Sequence, residues 1–157
     1  MKKNIIITGG LGYIGTELCK IYSGFSWFHK IVVIDNRFIS ERVNQIRNWN
    51  MEFIHGDILD KSLVNKYFKD ADVVHHLAGI TDVPRTQSET TEEKDQKIKL
   101  VGESGTQNIL DAISDKCKIV FPSTHVIYEG IDKVKNDIKE DEETKPILSY
   151  SSSKSIN

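Results

Sequence analysis

The chain has 157 residues, 38% of them apolar and 28% charged, with a formal net charge of −2. That length allows one domain with a substantial hydrophobic core, and the balanced charge leaves no basic footprint for nucleic acid. No apolar run approaches the ~20 residues that span a bilayer, so no membrane partner is expected. The three isoleucines after "MKKN" are too few for a secretory signal. Cys19 and Cys117 lack metal-ligand spacing, so no metal is expected. With no export signal, both are read as reduced and buried, and the chain as cytoplasmic.

Five short apolar runs recur along the chain: "IIIT" at 5–8, "KIVVID" at 30–35, "MEFIH" at 51–55, "DVVHHLA" at 72–78 and "KIVFPS" at 118–123. They do not alternate with polar residues, which is the pattern of strands covered on both faces in a parallel sheet. Helical spacing lies between them. Ile14, Leu18, Ile21, Tyr22 and Phe25 recur at three- and four-residue steps over 13–25. Leu63, Val64, Tyr67 and Phe68 do so over 60–69, with Asp60 as N-cap. A longer segment, about 88–114, starts polar and then carries Ile98, Val101, Ile109, Leu110 and Ile113. The alternation predicts a doubly wound α/β fold with parallel strand order 3-2-1-4-5. Residues 129–145 are charged and poor in large apolar groups, and read as an exposed loop or a flap over a site.

"TGGLGYIG" joins the first strand to the first helix, with Gly9, Gly12 and Gly15 as G-x-x-G-x-x-G. Such glycines allow a tight turn, close approach of a pyrophosphate and close packing of helix on sheet. The helix N-terminus adds free N–H groups and partial positive charge. Asp35 ends the next strand, 20 residues beyond Gly15, near the distance expected for an acid that binds ribose hydroxyls. A carboxylate there repels a 2′-phosphate, so NAD is expected over NADP, although Arg37 stands close by.

With these motifs, "DN" at 35–36, "GDI" at 56–58, "HLAG" at 76–79, "GTQNIL" at 105–110, "PSTHVIY" at 122–128 and "YSSSK" at 150–154 occur in fixed order. Together they resemble the extended short-chain dehydrogenases/reductases, and within them the NAD-dependent nucleotide-sugar epimerase/dehydratase group, over essentially the whole chain. The resemblance implies a cofactor site of Gly9, Gly12, Tyr13, Ile14, Gly15, Asp35, Asn36, Arg37, Asp57, Ile58, Leu77, Ala78 and Gly79, with Tyr150 and Lys154 contributing. It implies Thr124, Tyr150 and Lys154 as catalytic residues, and a nucleotide-sugar substrate epimerised through a keto intermediate. A reductase or decarboxylase of the same group, or a non-catalytic NAD-binding module, are the alternatives.

The implied chemistry suits the trio. Oxidising a sugar carbinol by hydride transfer requires loss of its hydroxyl proton. A phenol with pKa near 10 is only about 0.1% ionised at pH 7, so a base needs a drop of roughly three units, about 4 kcal/mol. An ammonium one helical turn away favours the phenolate. Departures from the family pattern are also visible. Gly102 stands where an Asn is usual, and His125-Val126 follow Thr124 where dehydratases carry two acids, so dehydration is disfavoured. The family continues beyond the Lys into a substrate domain. Residues 1–157 are therefore read as an incomplete NAD-binding domain from the N-terminal part of a longer enzyme. The isolated chain is expected to be inactive, with a frayed Tyr150–Lys154 segment, and to form homodimers or self-associate.

Overall fold

Ile6, Ile7, Val32, Val33 and Val74 lose essentially all contact with solvent, which is why their strands carry apolar residues at consecutive positions rather than alternate ones. The computed structural model describes residues 2–81, 87–131 and 136–155. Its strands are β1 (Asn4–Thr8), β2 (Lys30–Asp35), β3 (Glu52–His55), β4 (Val73–His76) and β5 (Lys118–Val120). They form one parallel sheet in the order β3-β2-β1-β4-β5. The predicted architecture is present, with β1 central and the strand order reversing between β1 and β4. The helices are α1 (Tyr13–Ser23), α2 (Ser40–Asn48), α3 (Lys61–Phe68), α4 (Glu92–Lys99), α5 (Gly105–Ala112) and α6 (Ser149–Ser155). A π-helical turn, Leu100–Ser104, stands between α4 and α5, and 3-10 turns occupy Gln87–Glu89 and His125–Tyr128.

The described chain divides into two compact units. The first takes residues 1–79 and 105–122; the second takes 80–104 and 123–157. In the first unit, one face of the sheet presents Ile5, Ile7, Ile31 and Val33 to Cys19 of α1 and to Val43 and Ile46 of α2. Each such buried Ile or Val contributes about 1.5–3 kcal/mol. The alternate positions serve the other face, where α3 packs on α5. There a polar chain crosses the core. Ala78 N–H donates to Thr8 Oγ1 (3.1 Å), Thr8 Oγ1 meets His76 Nδ1 (2.8 Å), and His76 Nε2 meets Thr106 Oγ1 (3.0 Å). His76 is therefore a hydrogen-bonded core residue that ties the ends of β1 and β4 to α5.

Three local expectations need correction. The face of α1 turned inward carries Gly15, Leu18, Cys19 and Tyr22, whereas Ile14, Ile21 and Phe25 are exposed. The inward stripe lies one residue away from the apolar one, because glycine and cysteine fit against the sheet more closely than isoleucine would. Second, α2 was not anticipated. Only Val43 and Ile46 are buried on it, too few to register as a periodic pattern. Third, Cys117 is half-buried rather than buried, while Cys19 is fully enclosed and its thiol is pushed up to about 12 by burial. Asp60 does cap α3, accepting from Ser62 and Leu63 N–H. The expected loop at 129–145 lies outside the described residues at 132–135, and 136–141 are exposed.

The polar chain yields a test. Thr8→Val removes two of its links and Thr106→Val removes one. Each lost buried bond costs roughly 1–3 kcal/mol, so the denaturant midpoint should fall further for Thr8→Val than for Thr106→Val.

Candidate functional site

The turn after β1 begins with Gly9 at φ +65°, a left-handed conformation that favours glycine. A Cβ there would also lie 2.7 Å from Ala78 N and 2.8 Å from Leu77 C. The end of β1 and the segment after β4 thus touch through bare backbone, at the point where strand order reverses. Gly12 N–H donates to Gly9 O (3.0 Å), closing the turn. Gly15 packs so tightly on it that a Cβ would lie 2.5 Å from Gly9 O. Gly12 is the N-cap of α1 and offers no capping side chain. The first N–H groups of α1 thus receive no capping side chain from Gly12, an arrangement suited to a phosphate. Tyr13 and Ile14 flank this end, 85% and 60% exposed.

Asp35 is only 5% exposed. Its Oδ2 accepts from Leu11 N–H (2.9 Å), and its Oδ1 accepts from Arg37 N–H (2.9 Å) and Arg37 Nε (3.2 Å). Arg42 on α2 donates to Leu11 O. The carboxylate therefore braces the glycine turn and is neutralised by Arg37. Asn36 Nδ2 donates to Asp57 Oδ2 (3.0 Å), and Asp57 Oδ1 accepts from Leu59 N–H (3.0 Å). Ile58 is buried against Gly105, whose Cβ would meet it at 2.5 Å, and its carbonyl accepts from Asn108 (3.1 Å). Its side chain packs the core. Leu77 and Ala78 are half-buried and Gly79 is exposed beyond the end of β4.

The three residues expected to be catalytic belong to the second unit. Thr124 is the N-cap of the 3-10 turn at His125–Tyr128, its Oγ1 accepting from Val126 N–H (3.4 Å). That turn packs against α6. Tyr150 and Lys154 lie one turn apart on α6 and so share a face. Both are half-buried. The segment is not frayed: Ser151 and Ser153 are buried, and Ser123 Oγ donates to Lys154 O (3.4 Å). Burial holds the Lys154 ammonium below the ordinary lysine range. The π turn lies where Gly102 replaces the usual Asn. A Cβ on Gly102 would lie 2.8 Å from Ser153 Cβ, so the absent side chain lets α6 approach closely. Sequence reasoning missed Arg42 and the bracing role of Asp35.

A doubly wound sheet with a glycine turn at the reversal of strand order is the Rossmann type of α/β fold. The chain belongs to the 3-beta hydroxysteroid dehydrogenase/isomerase family, whose sequence model matches residues 6–157. It is 34% identical over 132 residues to a UDP-N-acetyl-alpha-D-glucosaminuronate decarboxylase of Bacillus cytotoxicus, covering 82% of this chain and 38% of the relative. It is 30% identical over 167 residues to a UDP-glucose 4-epimerase of Neisseria meningitidis serogroup C, covering 98% and 46%. Among solved structures, the UDP-glucose 4-epimerase of Brucella ovis in complex with NAD superposes with a TM-score of 0.76 at 29% identity, covering 98% of this chain and 45% of that one. The chain thus spans less than half the length of these relatives.

Two predictions follow from the packing and the charge. Gly15→Ala should destabilise by about 1–3 kcal/mol through overpacking. Gly24→Ala should stabilise by about 0.4–1 kcal/mol, since Gly24 is at φ −67° and its Cβ would come no nearer than 3.9 Å to a neighbour. Thermal denaturation of the pair distinguishes the two effects. For Lys154, the folded pKa lies below the ordinary value of 10.5. Between the two values the unfolded chain binds more protons, so stability rises with pH there. Lys154→Met should therefore be more stable than wild type at pH 7, and the difference should shrink towards pH 10.5. Melting temperatures across that range give the check.

Proposed function

We propose that the chain is the cofactor-binding part of an NAD-dependent nucleotide-sugar epimerase. The observation that carries the reading is the face of α6, where Tyr150 and a desolvated Lys154 stand one turn apart in a chain that also holds the glycine turn braced by Asp35. The curated and solved relatives support it, the epimerases among them being the recurrent activity. Residues 1–157 would form the NAD-binding domain, with the nucleotide-sugar held largely by other parts of a longer protein. We place the protein in the cytoplasm, with its two free cysteines reduced.

The N–H groups at the start of α1 hold the pyrophosphate, with Gly9 and Gly12 leaving room for it. Asp35 accepts from the adenosine ribose. For that, the Arg37 guanidinium swings aside, and the 57% exposure of its side chain leaves it free to do so. Asn36 and the Asp57 carboxylate lie towards the adenine, while Leu77, Ala78 and Gly79 line the cofactor beyond β4. The bound nicotinamide supplies the hydride acceptor and donor. Tyr150 removes the proton from the sugar hydroxyl, and Lys154 stabilises its phenolate through space. Thr124 donates its hydroxyl to hold the substrate oxygen in line. Proton return by Tyr150 after the sugar presents its other face completes an epimerisation. Decarboxylation is the second reading, favoured by the 34% identity to a decarboxylase.

The test is titration of NAD and NADP against residues 1–157, followed by incubation of the NAD-loaded longer protein, sugar-binding part included, with UDP-sugars and a UDP-sugar acid. NAD should bind more tightly than NADP. Asp35→Asn keeps an acceptor for Leu11 and should weaken NAD by about tenfold, the scale of one charged hydrogen bond. An unchanged preference removes Asp35 as the selector. Epimer formation abolished by Tyr150→Phe, with NAD affinity intact, supports the first reading. Release of carbon dioxide supports the second, and failure to bind either dinucleotide defeats both.

A further inference from the structure

The helix that carries Tyr150 and Lys154 starts without a cap of its own. The residue before it is Leu148, whose side chain cannot accept a hydrogen bond; its own N–H reaches Ser151 Oγ (3.1 Å). The N–H groups of the two residues that lead into the helix also converge on Glu129, some twenty residues earlier in the chain. Glu129 Oε1 accepts from Ile147 N–H (2.8 Å) and Leu148 N–H (2.7 Å). Ser151 Oγ donates to the same oxygen. Ser151 is fully buried, so its hydroxyl needs a partner. Its one proton could serve Leu148 O (2.8 Å) or the carboxylate, and the anion is the stronger acceptor.

The other end of this contact is equally well held. Glu129 directly follows the 3-10 turn capped by Thr124, and its own N–H donates to Val126 O (3.1 Å). Next to it, Gly130 N–H donates to Lys145 O (2.8 Å), and Lys145 N–H donates to Ile127 O (2.9 Å). A Cβ on Gly130 would lie 2.6 Å from Lys145 O, so the two strands of backbone meet closely there. A second carboxylate, Asp95 on α4, accepts from Ser149 at the start of α6.

We propose that Glu129 is a positioning residue that clamps the Thr124 turn to the start of α6 and so sets Thr124, Tyr150 and Lys154 in register. The proposal rests on the functional reading above for the roles of those three, and adds the part that places them. Burial raises the Glu129 pKa, but the bonds from Ser151, Leu148 N–H and Ile147 N–H outweigh it and hold the carboxyl below its ordinary range. The clamp is therefore charged at neutral pH. Glutamine keeps one oxygen at the same reach, and alanine keeps none.

The test compares the 157-residue wild type with Glu129→Ala and Glu129→Gln. Amide hydrogen exchange is followed at Ile147, Leu148 and Ser152, whose N–H donates to Leu148 O (2.9 Å), with β1 and β2 amides as internal reference. The pH dependence of reductive methylation at Lys154 is read in parallel by peptide mass spectrometry. In Glu129→Ala, protection at the three amides should fall about tenfold relative to the sheet, the scale of one charged hydrogen bond. The Lys154 reactivity profile should shift up in pH towards that of an exposed lysine, and Glu129→Gln should restore both in part. Protection and Lys154 profile unchanged in Glu129→Ala overturns the proposal. So does an exchange increase spread evenly over sheet and helix with the Lys154 profile unmoved, which marks a merely structural residue. These readouts need neither dinucleotide nor sugar, so failure to bind NAD counts against the functional reading alone.

Discussion

The end of the sheet at which strand order reverses depends on one buried carboxylate. Asp35 gathers the Leu11 and Arg37 N–H groups and the Arg37 guanidinium, so the turn after β1 is fastened to the end of β2. Hydrogen bonds to a charged acceptor are worth about 1.5–3 kcal/mol each, and a carboxylate this buried is tolerable only with such partners. The same turn is pressed against Leu77 and Ala78 through Gly9, and Ala78 is in turn anchored through Thr8 to His76. The ends of β1, β2 and β4 are thereby fixed to one another before any ligand arrives. The N–H groups at the start of α1 are thereby preorganised, and preorganisation lowers the ordering cost of binding.

Much of this was legible in the sequence because burial on both faces removes polar residues from a strand. "KIVVID" is β2 to the residue. The glycine turn and Asp35 were equally legible, since turn geometry and a strand-end acid restrict residue type at fixed spacing. The failures share a physical cause. The inner face of α1 uses Gly15 and Cys19, and small residues leave little trace in a hydrophobic pattern, so the exposed Ile14 and Ile21 took their place in the reading. On α2, two buried residues among seven polar or charged ones were below what periodicity detects. Gly102 was noticed as a departure, but only the contact with Ser153 explains why a residue without Cβ stands in the π turn. Partners distant in sequence, such as Arg42 with Leu11 and Glu129 with Leu148, leave no local pattern at all.

The two units use one device at different places. In the first, Asp35 receives N–H groups from a glycine turn; in the second, Glu129 receives them from the entry to α6. Both segments are irregular, so neither can satisfy its N–H groups through a helix or sheet ladder. A carboxylate is suited to the task because it is acceptor-only, with two oxygens that together take several donors arriving from different directions. A backbone carbonyl would take fewer and would itself have to be positioned by regular structure. Each carboxylate also fixes something a ladder cannot: the first holds the glycine turn, and the second holds the entry to a short helix.

That second case explains how a helix of seven residues can hold Tyr150 and Lys154 in place. Isolated, it is far below the ~12–15 residues at which a helix is even marginal in water, and its five serines add little propensity. Its order must come from outside, and the buried Ser151 and Ser153 show from where. Ser151 faces Glu129, and Ser153 faces the space that Gly102 leaves free. These two contacts are two residues apart and so lie on different sides of the helix, which constrains rotation about its axis as well as position along it. With rotation fixed, Tyr150 and Lys154 share a defined direction one turn apart, and Lys154 stays in the desolvated surroundings that lower its pKa. The serines between Tyr150 and Lys154 are therefore not filler: small hydroxyl side chains let the helix sit close on both sides without a large side chain that would push the Tyr150–Lys154 face away.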